Sequence, residues 1–139
     1  MDTLTLEARS ARMRLVKSKD TRPELVVRKV THNLGFRYRL HAKTLPGKPD
    51  LVFSGRKKVI FVHGCFWHRH EGCSRARLPK TRQEFWLSKL DGNRERDLAT
   101  LARLAELGWR VLVIWECEIR EHDTLKTRIK NFLQESEIE

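Results

Sequence analysis

Between positions 65 and 73 the chain reads Cys65-Phe66-Trp67-His68-Arg69-His70-Glu71-Gly72-Cys73, and its third cysteine, Cys117, comes just after the apolar run Trp109 to Trp115. Three cysteines cannot all pair within one chain, and a reducing compartment leaves thiols free for metal or for packing. Isolated buried thiols and surface histidines are common singly, but two cysteines and two histidines within nine positions fit a metal site far better. Zinc in structural sites takes four Cys or His ligands tetrahedrally. Cys65, Cys73 and Cys117 supply three of them, and either His70 or His68 supplies the fourth. Closed sites of this kind contribute folding free energy, on the order of 10 kcal/mol in small metal peptides. One zinc ion would therefore fix a loop against the last strand, with a structural and not a catalytic role.

A knot of this sort sits in a chain of 139 residues, a length that suits one compact domain and not two independent cores. Lys and Arg number 29 against 18 Asp and Glu, a formal net charge of +11. That excess favours a polyanionic partner, nucleic acid first and an anionic membrane second. Eight of the eleven excess charges fall before residue 50. Residues 1–20 read as a basic N-terminal arm and residues 135–139 as an acidic tail. No apolar run approaches the roughly 20 residues of a membrane span, and Met1 to Lys19 lacks the apolar core of a signal peptide. The expectation is a soluble, intracellular protein with no membrane partner.

Local patterning then distributes helices and strands. Thr21-Arg22-Pro23-Glu24 has the form of a capping box with proline in the first turn. Leu25, Val26, Val30 and Leu34 follow at helical spacing, and Gly35 ends the helix. Phe36, Tyr38 and Leu40 alternate with Arg37, Arg39 and His41, as in a strand with one wet face. Asp50 to Phe53, the turn Ser54-Gly55-Arg56-Lys57 and the run Val59 to Val62 form a hairpin signal. Thr81 to Leu107 suits helix, with a break expected at Gly92-Asn93 and a stop at Gly108. Trp109 to Trp115 is nearly continuously apolar and is expected to lie centrally in the sheet, covered on both faces. Leu125, Ile129, Phe132 and Leu133 mark a closing amphipathic helix.

The hairpin also carries chemistry. A carboxylate at the mouth of a strand, with further polar groups a dozen residues later on the paired strand, can hold magnesium beside a phosphodiester. Magnesium prefers hard oxygen ligands, and it must neutralise charge that builds on the phosphate. Asp50 can supply such an oxygen. The usual acidic residue and lysine of the second strand are missing, since it reads Val59-Ile60-Phe61-Val62-His63-Gly64. Something else must activate water, and His63 and His68 have reference pKa values suited to general-base work. Taken singly, Asp50 as a strand cap, His63 as a rim histidine and Glu24 as a helix cap are equally good readings. Their coincidence with a zinc cluster in a basic chain favours a nuclease.

The string Phe61 to Cys73, Thr21 to Glu24, Pro49-Asp50, Thr81-Arg82-Gln83-Glu84-Phe85-Trp86 and Gly108 to Cys117 together resemble the very-short-patch repair (Vsr) endonucleases over about Ser18 to Arg120. The most specific element is His63-Gly64-Cys65-Phe66-Trp67-His68 combined with Trp115-Glu116-Cys117. The resemblance implies a DNA mismatch endonuclease that nicks one strand of double-stranded DNA on the 5′ side of the thymine in a T:G mismatch, the lesion left by 5-methylcytosine deamination. It implies that Asp50 and the Val62 backbone carbonyl bind catalytic magnesium, two ions in all. His68 activates water, His63 assists at the phosphate, Glu24 supports the metal-water network, and Asp97 and Asn93 stand behind these groups. It selects His70 to complete the zinc set with Cys65, Cys73 and Cys117. It makes Phe66, Trp67 and Trp86 a wedge that enters the base stack, and Phe66 and Trp67 are expected to be exposed. Unstacking costs a few kcal/mol and less at a mismatch, which gives lesion selectivity. Two departures stand out: the family commonly has threonine where this chain has Val62, and Gly72 is an extra residue in the zinc loop.

The implied fold is α/β, a mixed central sheet flanked by helices, restriction-endonuclease-like, with a structural zinc site. The implied setting is the bacterial cytoplasm, with action on the nucleoid as a monomer and functional links to a C5-cytosine methyltransferase and to mismatch-repair proteins. Two other readings compete: a zinc-bearing DNA-binding module without catalysis, and a nuclease acting on unmodified or structured nucleic acid. The first leaves Asp50 and His68 unexplained, and the aromatic wedge argues against the second.

Overall fold

A computed structural model describes residues 20–135, so the arm and almost all of the acidic tail lie outside the described residues. Helix α1 spans Arg22–Asn33. Thr21 is extended, and its hydroxyl accepts from the Glu24 N–H at 3.4 Å. Only this half of the expected capping box forms, because the Glu24 carboxylate accepts from the Asp20 N–H at 2.6 Å and from Arg28 at 3.2 Å. The buried face is Glu24, Val27 and Thr31, flanked by partly buried Val26, Val30 and Leu34, while Leu25 is half exposed. Gly35 ends the helix with φ +95°, a left-handed conformation that costs glycine least.

The sheet has four strands in the order β1 (Arg39–Leu40), β2 (Leu51–Phe53), β3 (Lys58–His63) and β4 (Arg110–Trp115). The first three pair antiparallel, and β3 pairs parallel with β4 through the crossover helix α2 (Gln83–Glu106). The expected hairpin is β2–β3, turned by a single 3-10 turn at Ser54–Arg56 and a left-handed Lys57. The strand expected from Phe36 shrinks to two residues. Phe36 and Tyr38 pack onto the core, the Tyr38 hydroxyl donates to the Arg28 carbonyl, and His41 turns the chain away at φ +46°.

β4 is an edge strand, contrary to the central position expected for it. Its apolar continuity has another cause, since layers cover both faces of the sheet. On one face Leu51, Phe53, Ile60 and Ile114 pack with α1 and with α3 (His122–Gln134), through Val27, Leu125, Ile129 and Leu133. On the other, Val52, Val59 and Phe61 meet Leu104 and Leu101 of α2, joined by Val111 and Val113. Two covered faces demand apolar residues at successive positions whether or not both edges are paired. Helix α2 runs unbroken through Gly92 and Asn93. A helical glycine costs about 1 kcal/mol relative to alanine, too little to break a helix held by buried Leu90 and Leu104 on either side. Gly108, at φ +89°, follows the helix end as expected.

At the far end of β3, Lys58 is almost wholly buried, and its ammonium donates to the carbonyls of Phe132 at 2.6 Å and Glu135 at 2.5 Å. The negative end of the α3 dipole and its unpaired carbonyls thus receive a cation. Among the described residues no helix is long and apolar enough to cross a membrane.

Candidate active site

A cleft of about 540 Å³ opens between α1, the strand ends and α2, and Glu24, Asp50, Val62, His63, His68 and Asp97 all line it. Asp50 enters from the loop before β2. The β2–β3 register sets Leu51 opposite Ile60, so Asp50 lies at the β3 end where Val62 donates its N–H to Oδ2 at 2.6 Å. Burial pushes the Asp50 carboxyl up to about 7; the Val62 N–H works against this, nearby Glu24 adds to it, and Arg28 offsets part. Glu24, 3 % exposed, projects from the first turn of α1. The pocket therefore gathers two largely buried carboxylates, Asp50 and an Arg28-paired Glu24, a donor set suited to a hard divalent cation.

His63 ends β3 and is 7 % exposed. Burial, reinforced by neighbouring His68, lowers its pKa to about 4, so the ring is neutral near pH 7. Its Nδ1 is buried without a hydrogen-bond partner among the described residues. His68 stacks face to face on it, ring centroids 3.9 Å apart and planes 4° from parallel. On the other side His68 Nδ1 lies 2.6 Å from Asp97 Oδ2. A carboxylate accepts, so Nδ1 carries the proton and Nε2 presents a lone pair, as a general base requires. Asn93, one turn before Asp97 on α2, donates to the Trp67 carbonyl at 3.1 Å, so it holds the aromatic loop and not the histidines.

Beyond His63 the chain folds back on itself. His70 N–H donates to the Cys65 carbonyl at 2.9 Å and Cys73 N–H to the His70 carbonyl at 3.3 Å. The ligand atoms of Cys65, His70, Cys73 and Cys117 lie within 4.8 Å of one another. His70 Nδ1 is 3.6 Å from the Cys65 sulfur and 3.5 Å from that of Cys117. Zn–S and Zn–N bonds at tetrahedral angles place sulfur and nitrogen about 3.6 Å apart, so the cluster fits a tetrahedral metal. His68 points away to Asp97 and is not in this set. Gly72 takes φ +73°, and His70 and Cys73 on either side of it both belong to the four-residue cluster. Trp115 stacks on His70 at 4.2 Å.

Phe66, Trp67 and Trp86 form one aromatic cluster with centroid separations of 5.2, 5.6 and 6.1 Å, and Phe85 extends it from Trp86 at 5.2 Å. The expected exposure of Phe66 and Trp67 is corrected: both are half-buried against each other and Trp86, and Phe85 is the exposed member. Trp86 is not a core residue either.

Sequence reasoning missed several groups that face this cleft, among them His41, Lys43 and Lys48. The lysines bring positive charge that the β3 sequence lacks. The alternation that placed His41 on the wet side of its strand was a usable signal, since Asp50 pairs opposite that strand. Gly47 seats the loop before Asp50 against α2. A Cβ there would stand 2.4 Å from a Thr100 methyl and 3.2 Å from the Phe61 ring.

Comparison with known proteins matches residues 1–75 to the family described as DNA mismatch endonuclease Vsr. The chain is 50 % identical over 135 residues to the type II nicking enzyme V.XorIIP of Xanthomonas oryzae pv. oryzae, covering 97 % of this chain and 98 % of that protein. It is 41 % identical over 134 residues to the type II nicking enzyme V.NmeAIP of Neisseria meningitidis, covering 96 % and 95 %. It is 44 % identical over 117 residues to the DNA mismatch endonuclease Vsr of Escherichia coli, covering 84 % and 74 %. With a family match over more than half its length and relatives of this identity and coverage, the chain belongs to the Vsr DNA mismatch endonuclease family.

Proposed function

We propose that this protein nicks double-stranded DNA on the 5′ side of the thymine in a T:G mismatch left by deamination of 5-methylcytosine, initiating very-short-patch repair. The observation that carries this reading is the convergence of Asp50, Glu24, His63, His68 and Asp97 on one cleft. In this reading Asp50 and the Val62 carbonyl hold magnesium, two ions, with Glu24 ordering the surrounding water. Bound magnesium would neutralise charge developing on the phosphate. His68 Nε2 takes the proton from a water whose oxygen bonds to phosphorus as the P–O bond to the neighbouring nucleotide breaks, and the leaving oxygen is protonated from solvent. Asp97 keeps His68 in the tautomer that can do this, and neutral His63 faces the phosphate beside it. Asn93 acts through the Trp67 carbonyl. The metal at Cys65, His70, Cys73 and Cys117 is zinc, one ion, with a structural role. Phe66, Trp67 and Trp86 supply the wedge, and a net charge of +11 suits the DNA backbone.

We take residues 1–139 as one endonuclease domain with the sheet-and-helix plan of restriction-endonuclease-like enzymes, monomeric and cytoplasmic. Its substrate ties it to a C5-cytosine methyltransferase and to mismatch-repair proteins. The test is incubation with magnesium and duplexes carrying T:G, other mismatches or none. Nicking confined to T:G substrates is expected, and it should disappear in Asp50→Ala and His68→Ala while binding persists. Equal cutting of fully paired DNA, or cutting by Asp50→Ala, would overturn the reading.

A further inference from the structure

We propose that His41 is a positioning residue for the divalent cation at Asp50, its Nδ1–H directed by Arg28 toward the water that the cation holds. The inference rests on the reading of Asp50 as the cation ligand.

Strand register brings the two residues together. β1 pairs Leu40 with Leu51, which leaves His41 opposite Asp50, and the His41 N–H donates to the Asp50 carbonyl at 3.3 Å. His41 stands one residue beyond β1, at φ +46°, and its Nδ1 lies 3.8 Å from Asp50 Oδ1, whereas Val62 donates to Oδ2. At that separation no direct hydrogen bond forms, and both groups can address one water molecule in the cleft they share.

Arg28 decides which ring nitrogen carries the proton. Its guanidinium lies 3.0 Å from His41 Nε2, 3.2 Å from Glu24 Oε2 and 2.7 Å from Asp20 Oδ1. All three contacts are made by Nη2, whose two hydrogens are best placed for the nearer partners, Asp20 and His41; guanidinium only donates, so Nε2 accepts there and Nδ1, facing Asp50, is the nitrogen left to donate. The same contacts leave no room for a cation between Asp20, Glu24 and His41. Asp20, Glu24 and His41 bring ligand atoms within 4.8 Å of one another, yet the Arg28 guanidinium already occupies the ground between them. His41 therefore serves the Asp50 site and does not form a separate one. Groups that hydrogen-bond to what a metal holds typically change metal affinity or activity by about 10–100-fold when removed.

The test uses two substitutions that suit φ +46°. His41→Asn keeps an N–H donor near the position of Nδ1, and His41→Gly removes it; asparagine and glycine both tolerate the left-handed region. Mn²⁺ binding to the DNA-free protein is measured by calorimetry, and single-turnover nicking is measured alongside it. His41→Gly is expected to bind Mn²⁺ about tenfold or more weakly and to nick at least tenfold more slowly with DNA affinity unchanged, and His41→Asn to recover most of both. Nitrogen-15 spectra of the metal-free wild type at pH 8 should show protonated Nδ1 and bare Nε2 at His41. A bare Nδ1, or Mn²⁺ affinity and nicking unchanged in His41→Gly while Asp50→Asn abolishes binding, overturns the role of His41 and leaves the Asp50 reading intact. If the wild type shows no Asp50-dependent Mn²⁺ binding, both fall.

Discussion

Asp50 and His63 respond to pH in opposite senses. The Asp50 carboxyl is raised to about 7 chiefly by burial, so the folded state binds its proton more tightly than the unfolded state does. Its contribution to stability is complete below about pH 4 and is lost as pH rises through about 7. His63 is lowered to about 4, so its contribution is complete above about pH 6.5 and is lost as pH falls toward 4. The two slopes oppose each other across one window, and a substitution exposes either one. Asp50→Asn should stabilise the metal-free protein relative to wild type, by nearly nothing at pH 4 and by a few kcal/mol at pH 8, while abolishing nicking. Thermal melts in chelator across that range check this; a difference independent of pH would refute it. Gly47 is constrained by steric contact and not by charge. Gly47→Ala adds a methyl 2.4 Å from Thr100 and strains φ +74°, and should cost about 2–4 kcal/mol by denaturant titration. Nicking should fall as well, because the same loop delivers Asp50.

Among the elements, those written in local chemistry were readable. Thr21 and Pro23 announce the start of α1, Gly35 and Gly108 mark helix ends, and Leu125, Ile129 and Leu133 trace the buried stripe of α3. The position of β4 was not readable, because strand order is set by which strand the crossover returns to, and apolar residues at successive positions report only that both faces are covered. Leu25 misled in the same way, fitting the helical period while facing out. In the site, Asp50, His63, His68 and the cysteines were legible from residue type and resemblance. His41 was legible only as a wet-face residue, since its place beside Asp50 depends on the strand that β1 pairs with. Lys58 escaped notice because its partners are carbonyls more than seventy positions away. Lys58→Met should leave those carbonyls without a donor, at a cost of about 1–3 kcal/mol. Hydrogen exchange should quicken in the last turn of α3 and little elsewhere; uniform quickening would mean that Lys58 has no local role at the end of α3.

Across the fold, the Cys/His cluster that could hold a metal joins the ends of β3 and β4. Cys65 follows one strand by two residues and Cys117 follows the other by two, with His68 inside the loop so closed. Cys117→Ser should lower thermal stability by several kcal/mol and reduce bound zinc below one ion per chain by native mass spectrometry. A variant that melts at the wild-type temperature without zinc would show the cluster to be dispensable.

Because the loop that carries His68 is tied at both ends to Cys65 and His70, stripping a metal from that cluster would slacken the His68–Asp97 pair even though the cluster itself does not line the cleft. On the proposed mechanism, chelation would then silence cutting by two routes, one swiftly undone by returning magnesium and one requiring the knot to be retied. The order in which the two metals are given back becomes the informative variable.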